Sequence, residues 1–511
     1  MSGFTHLDRL LESAPGPGGA VAVLKDGAVV ARRTWGWADM ERRIPFTPAT
    51  LFRVCSITKQ FTCAVMLDAF PDPAVLDGDL AGHLPTLEGP HPSIRQMAHN
   101  QSGLRDYWAT AMLCGAPVEG VFGPEDAGAL IRRTHSLHFL PGTHSSYCNH
   151  NFRLIGDMVA ARQNEGLAHL LRRRIFDPAG MTSALVCAET SAMPDGTIGY
   201  EGSLDDGWRP AVNRIHWTGD AGIAASLDDM IAWEKFIDAA RDDPDSLIAR
   251  MSAPTAFADG TPAAYGFGLS RMTIHGRTAI GHGGGLRGWR SLRFYAPAER
   301  VSVVVLFNHM GDPRALAADL FGAMINAPAP PPHLPVEAGW AGSYLDRANG
   351  LVGRVELGAD GRLGLWYGQT RETLDAMADG SASGGSTRLR RTDAGIEMHR
   401  ATENLRVSLD RYEGEAPRDI EGVFHNPEYD ARFSCVAEGG ALYGAFSGAL
   451  GQGMMVPLLP VGPDVWRLPM PRALDSAAPG DWTICFGRDA AGMVQQVTIG
   501  CWLARNIVFS R

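Results

Sequence analysis

Apolar positions follow three different rhythms along this chain, and the changes of rhythm divide it. Ala20-Val21-Ala22-Val23-Leu24 and Ala28-Val29-Val30-Ala31 flank Lys25-Asp26-Gly27. Two strand-forming runs around an Asp-Gly turn signal predict a hairpin over 20–33. From Ser56 to Phe70 the chain is apolar nearly all round (Phe61, Cys63, Ala64, Val65, Met66, Leu67), which predicts a buried helix. Helical and loop segments dominate until about residue 250. One opens with Ser226-Leu227-Asp228-Asp229, a capping-box pattern ahead of Met230-Ile231-Ala232-Trp233. Strand patterns return at Tyr265-Gly266-Phe267-Gly268-Leu269, Thr278-Ala279-Ile280, Ser291 to Phe294 and Val301 to Phe307. A strand pair, then helices, then more strands predict an α+β unit. Its antiparallel sheet is built from both ends of the segment, with a helical cluster inserted.

Ala327-Pro328-Ala329-Pro330-Pro331-Pro332 reads as a stiff, extended linker. Beyond it lie short strands with frequent Gly turns. Trp340-Ala341-Gly342-Ser343-Tyr344 and Ile420-Glu421-Gly422-Val423-Phe424 share an apolar-x-Gly-x-aromatic opening about eighty residues apart. Each precedes alternating strands, so two related antiparallel β-barrels are expected, split near Gly414-Glu415-Ala416-Pro417. The expected domains are 1–330, 331–415 and 416–511.

Composition narrows the function classes. A chain of 511 residues is too long for one core. Its net charge of −10, spread without long runs, argues against a nucleic-acid partner. The start, Met1 to Gly19, lacks the basic end and apolar stretch of a secretory signal, and no apolar run reaches membrane-spanning length. Eight scattered cysteines with no Cys-x-x-Cys pair read as reduced, mostly buried thiols, which suits the cytoplasm. His91, His99, His144 and His150 are not at zincin spacing, and His309 and His425 read as ordinary surface or loop residues, so neither metal nor cofactor is expected.

Lysine changes the picture further. Lys25, Lys59 and Lys235 are the only lysines among 46 basic residues. Arginine holds its proton in a protein, whereas a lysine that is buried or near another cation can lose it. Lys59 stands three residues after Ser56, so one helix turn sets the amine beside the hydroxyl, the arrangement that activates a serine. Two more motifs follow in order. Tyr147-Cys148-Asn149 can present a phenol and an amide to one cleft, the phenol as general base. His282-Gly283-Gly284-Gly285 follows a strand and can let backbone approach a ligand. There the N–H of Gly285 can join that of Ser56 around an oxyanion, and His282 can add a donor or cation. The order and settings match the serine penicillin-recognising fold, whose third motif is more often Lys-Thr-Gly.

The likeness extends beyond the motifs. Cys55 to Val65, Asn100 to Trp108, Gly281 to Arg290 and Gly500 to Arg505 resemble runs of the bacterial D-aminopeptidase family of penicillin-recognising serine hydrolases. The resemblance spans nearly the whole chain, both β-units included, and is weakest around 345–400. It implies a β-lactamase-like catalytic domain followed by two barrels. Ser56 is then the nucleophile, Lys59 its activating neighbour, and Tyr147 the general base that later protonates the leaving amine. Asn149 positions substrate or Lys59, and His282 stands where a lysine is usual, gripping a substrate carboxylate less firmly. A loop from the last barrel, here Arg472 to Gly480, reaches the active site, with Asp475 as the anion for a substrate ammonium. Arg287 and Arg290 are candidates to contact a carbonyl or carboxylate, or to pair structurally. The implied substrates are short peptides, amides or esters with an N-terminal D-residue, D-alanine first; β-lactams are candidate inhibitors, and a homodimer is implied. Two rivals stay open at this point: a broad esterase or D,D-peptidase on the same fold, and a non-catalytic protein that binds D-peptides or β-lactams.

Overall fold

The computed structural model describes residues 16–329, 333–337, 339–475 and 479–511. Most of the polar start, Pro330 to Pro332 of the linker and Ser476 to Ala478 of the loop lie outside the described residues.

The expected hairpin is present as β1 (Gly18–Lys25) and β2 (Ala28–Asp39), with Asp26 and Gly27 both at positive φ. That is the backbone a two-residue turn needs to match strand twist. The later strands are β3 (Leu269–Ile274), β4 (Arg277–Leu286), β5 (Trp289–Ala296) and β6 (Val301–Phe307). With Tyr265–Gly266 and Ile44–Pro45 at the rims they make an eight-stranded antiparallel sheet. Its order runs Tyr265–Gly266, β3, β4, β5, β6, β1, β2, Ile44–Pro45. The expected strand over 265–269 is split, because Phe267 and Gly268 take positive φ and turn the chain.

Alternate residues of the central strands serve two cores. Ala20, Ala22, Leu24, Val304 and Leu306 pack on the helical side, while Val21, Val23, Val303 and Val305 pack with Ala317, Leu320 and Phe321 of the last helix of this unit. The helices that matter for the site are α1 (Thr58–Ala69), α2 (Tyr107–Leu113), α3 (Asn149–Gln163), α4 (Leu227–Ala240) and α5 (Pro313–Ile325). α1 is buried from Thr58 to Leu67, as its all-round apolar pattern predicts. Ser226 caps α4 with the expected capping box.

Eight strands, from Gly342–Asp346 to Leu405–Arg411, form a closed antiparallel barrel. The last unit, the second of the two expected antiparallel β-units, is a half-barrel. Its ten-stranded sheet ends at Gly451–Gln452 on one rim and Leu459–Gly462 on the other. Ala441–Gly448 divides its pairing between Gly451–Gln452 and Val456–Pro457, which leaves no continuous edge for closure. The repeated opening has a structural counterpart. Gly342 and Gly422 have φ of 155° and 156°, each begins a first strand, and each lies under an arginine at the end of its unit, Arg411 and Arg511. Among the described residues no helix is long and apolar enough to cross a membrane.

Candidate active site

A strained turn presents Ser56. Cys55, immediately before it, has φ of 55°, a conformation rare outside glycine, and Cys55–Ile57 form a single 3₁₀ turn that runs into α1. α1 then carries Lys59, fully buried, one turn on. Lys59 Nζ lies 3.1 Å from Ser56 Oγ, 2.9 Å from Asn149 Oδ1 and 2.7 Å from the Asp220 carbonyl oxygen. The amide and carbonyl oxygens only accept, so they take two N–H bonds. The third position faces Ser56, where a neutral amine accepts the hydroxyl proton. Burial pushes the Lys59 pKa down to about 8, with Asp220 and Asp106 pulling the other way.

Asn149 owes its orientation to Asp106. Both its backbone N–H and its Nδ2 donate to Asp106 Oδ2, at 2.7 and 2.8 Å, so its carbonyl oxygen must face Lys59. Burial raises the Asp106 pKa to about 6, opposed by its hydrogen bonds from Asn149 and Trp108. Asp106 is itself held by the half-barrel: its backbone N–H donates to Leu503 O at 3.1 Å, and the Arg105 Nε donates to Arg505 O at 2.9 Å. The Gly500 to Arg505 run thus braces the Lys59 network from below.

Tyr147 stands two residues before Asn149, the first residue of α3, and its ring lies 4.9 Å from Lys59 Nζ. Burial pushes its phenol well above the ordinary value, with the Ser56 hydroxyl opposing. The sequence reading made Tyr147 the base. Burial favours the protonated phenol and, at Lys59, the neutral amine beside Ser56.

The third motif lies within β4, which runs on through all three glycines. A Cβ on Gly284 would come within 2.2 Å of Ser291 Oγ and 2.4 Å of Val54 O, so this glycine lets the strand lie against the Ser56 turn. Ser56 and Gly285 then line one cavity. Gly284→Ala is expected to lose at least about a hundredfold in turnover and to lower the melting temperature by several degrees. A Gly284→Ala protein with ordinary kinetics would show that the close approach is dispensable. His282 is buried as well. Burial, followed by Lys59, lowers its pKa to about 3, so the ring is neutral.

The cavity has a volume of about 1700 Å³ and takes walls from all three units. Ser56, Tyr147, Asn149 and His282 come from the first, Tyr367 and Gln369 from the barrel, and Asp475 and Leu503 from the half-barrel. Asp475 is buried, and its Oδ1 accepts the Arg287 backbone N–H at 2.6 Å. Arg287 lies behind the cavity wall rather than in its lining. Its guanidinium is buried and donates to Ala473 O, Leu474 O and Glu201 Oε1, tying the loop to the first unit. Arg472, at the same end of the loop, pairs with Glu119 and Glu201. Gly480 packs against Gly368 O of the barrel. Arg290 lines the cavity and donates to Leu286 O and Trp289 O, closing its own turn. Among the described residues no group of three or more His, Cys, Asp or Glu is placed to hold a metal ion.

Residues 7–323 match the family model described as Beta-lactamase, and residues 334–510 match the one described as D-aminopeptidase, domain B. A D-aminopeptidase of Gluconobacter oxydans is 51% identical over 97% of this chain and 96% of its own. A D-aminopeptidase of Brucella canis is 46% identical over 100% of this chain and 98% of its own.

The chain belongs to the D-aminopeptidase family.

As a member of that family it is an enzyme, a hydrolase of the β-lactamase-like fold. Solved structures agree on the fold. The penicillin-binding protein homologue of Pyrococcus abyssi aligns over 100% of this chain and 99% of its own with a TM-score of 0.52 at 16% identity. The D-amino acid amidase of Ochrobactrum anthropi SV3 aligns over 64% of this chain and 99% of its own, with a TM-score of 0.51 at 20% identity. Within the family frame, sequence reasoning missed Asp106, Asp220 and Tyr265. Asp106 stands inside the run Asn100 to Trp108 that carries the resemblance, which was its one signal. Asp220 acts through its backbone carbonyl, which no sequence pattern marks.

Proposed function

We propose that this enzyme releases N-terminal D-residues, D-alanine first, from short peptides, amides and esters through an acyl-enzyme on Ser56. Neutral Lys59 takes the Ser56 proton as Oγ bonds to the substrate carbonyl carbon, and Asn149 and the Asp220 carbonyl hold its two N–H groups in place meanwhile. The backbone N–H groups of Ser56 and Gly285 receive the oxyanion. The carbon–nitrogen bond then breaks, and the proton passes from Lys59 through the Tyr147 hydroxyl to the leaving amine. Water attacks the ester by the same route in reverse, returns the proton to Ser56 and frees the D-amino acid. Asp475 receives the substrate's ammonium. What supports this most is that its carboxylate, from the half-barrel, shares one cavity with Ser56, Tyr147 and Asn149. The relatives' names support the D-preference. A homodimer, β-lactams as inhibitors and a cytoplasmic site of action go with this reading; the eight unpaired thiols support the last of these.

Steady-state release from D-alanine p-nitroanilide beside its L-isomer tests the reading, with strong D-preference expected. Release without D-preference favours the broad esterase, and no release from either isomer favours the binding protein. Asp475→Asn keeps an acceptor for the Arg287 N–H but loses the charge. Its preference for D-alanine p-nitroanilide over the N-acetyl derivative is expected to fall by about ten- to a hundredfold, the value of a charged hydrogen bond. An unchanged ratio removes Asp475 from amine recognition.

A further inference from the structure

Tyr265 ends the sheet beyond β3, and its hydroxyl lies 2.9 Å from His282 Nε2. The other ring nitrogen, Nδ1, lies 2.5 Å from the Gly283 carbonyl oxygen. A carbonyl only accepts, so Nδ1 carries the hydrogen, and Nε2 of the neutral ring is left to accept from the tyrosine. Both nitrogens are thereby engaged within the protein. The rings lock around this bond: Tyr265 meets His282 edge-on at 83°, and Tyr147 meets Tyr265 edge-on at 89° and His282 at 43°. All three residues line the cavity.

We propose that Tyr265 is a positioning residue that holds His282 as the neutral Nδ1–H tautomer and fixes its ring beside Tyr147. This rests on the reaction proposed above, in which Tyr147 carries the proton to the leaving amine. Three cations near the imidazole disfavour a further one there: Lys59 from α1, Arg314 from the start of α5, and Arg293, which stands opposite His282 across the β4–β5 pair and is itself paired with Glu234 of α4. The device substitutes an uncharged ring for the usual lysine of the third motif and leaves Lys59 the titrating cation beside Tyr147. Its proton then has one short route, through Tyr147, and the tilt of Tyr147 is set by the His282–Tyr265 pair.

Two measurements on the full-length protein test this. Histidine ¹⁵N spectra, with His282 assigned by its loss in His282→Leu, are expected to show Nδ1 protonated and Nε2 unprotonated from pH 6 to 9. In Tyr265→Phe the Nε2 resonance is expected to move and the ring to take up a proton at higher pH than in the wild type, because the neutral form has lost its donor. On D-alanine p-nitroanilide, Tyr265→Phe is expected to lower kcat about tenfold, the size of one buried hydrogen bond, with KM changed less than about twofold. In a His282→Leu background the same substitution is expected to cost less than about twofold, because its effect runs through His282. An Nε2–H tautomer in the wild type overturns the proposal, and so does an equal cost of Tyr265→Phe in both backgrounds. If the His282→Leu protein does not fold, His282→Gln supplies the assignment and the spectrum decides alone. The spectrum needs no turnover, so a failure of the peptidase reading is seen separately.

Discussion

Ser56→Ala is expected to remove at least about 10⁴-fold of the turnover of D-alanine p-nitroanilide, because residues that act as one nucleophilic unit fail together when the nucleophile is lost. The fold is expected to survive. Ser56 is half-buried in the cavity wall, and the side-chain partners at its hydroxyl are Lys59, at 3.1 Å, and the Tyr147 phenol. Alanine keeps the Cβ, and the strained conformation belongs to Cys55, which stays. Lys59 keeps Asn149 and the Asp220 carbonyl as partners. The change in stability is therefore expected to stay within about 1 kcal/mol, read by thermal unfolding. Turnover in Ser56→Ala above a thousandth of the wild-type rate, on protein free of contaminating hydrolase, would sink the acyl-enzyme.

Lys59→Met is the second large effect, and it carries a sign with pH. Lys59 must be neutral to accept a proton, and burial holds its pKa near 8. Wild-type kcat/KM is therefore expected to rise about tenfold per pH unit below 8, where Lys59 loses its proton, and any fall above that belongs to the substrate's own α-ammonium, which deprotonates at about 8. The phenol of Tyr147, pushed up by burial, adds no alkaline limb below about pH 10. Because Nζ lies only 4.9 Å from the Tyr147 ring, the inflection belongs to the pair. A second fall is expected below about pH 6, where Asp106 gains a proton and no longer serves purely as acceptor for the Asn149 amide. Lys59→Met is expected to lose about 10²- to 10⁴-fold and to lose the inflection near 8. A flat wild-type profile between pH 6 and 9, or a variant that keeps the inflection, would take Lys59 out of the proton path.

How legible was the site? Ser56 and Lys59 are one helix turn apart, and a local spacing is enough to set them side by side. Asn149 and Tyr147 share a short motif, but what each faces depends on contacts from elsewhere. Asp106, 43 residues before Asn149, decides which end of that amide meets Lys59. His282 was readable as a motif residue, but its charge was not, since burial and the nearby cations are properties of the packed site. Arg287 flanks the motif in sequence, and its role as a tie to Ala473 and Leu474 joins segments 186 and 187 residues apart. Asp475 had no local signal at all; a whole-chain resemblance singled it out.

The sequence by itself determined the local order of this protein: the Asp-Gly hairpin, the buried helix behind Ser56, the capped helix at Ser226, the paired β-unit openings and the three motifs in series. These follow from backbone preferences and from the periods of helix and strand, which act within a few residues. Only the tertiary structure decided the proton inventory of the site, the half-open form of the last unit and the joining of three units around one cavity. Those depend on burial and on charges brought together from distant segments. Desolvation is the reason: Lys59 titrates near 8 and His282 stays neutral because the folded chain excludes water from both.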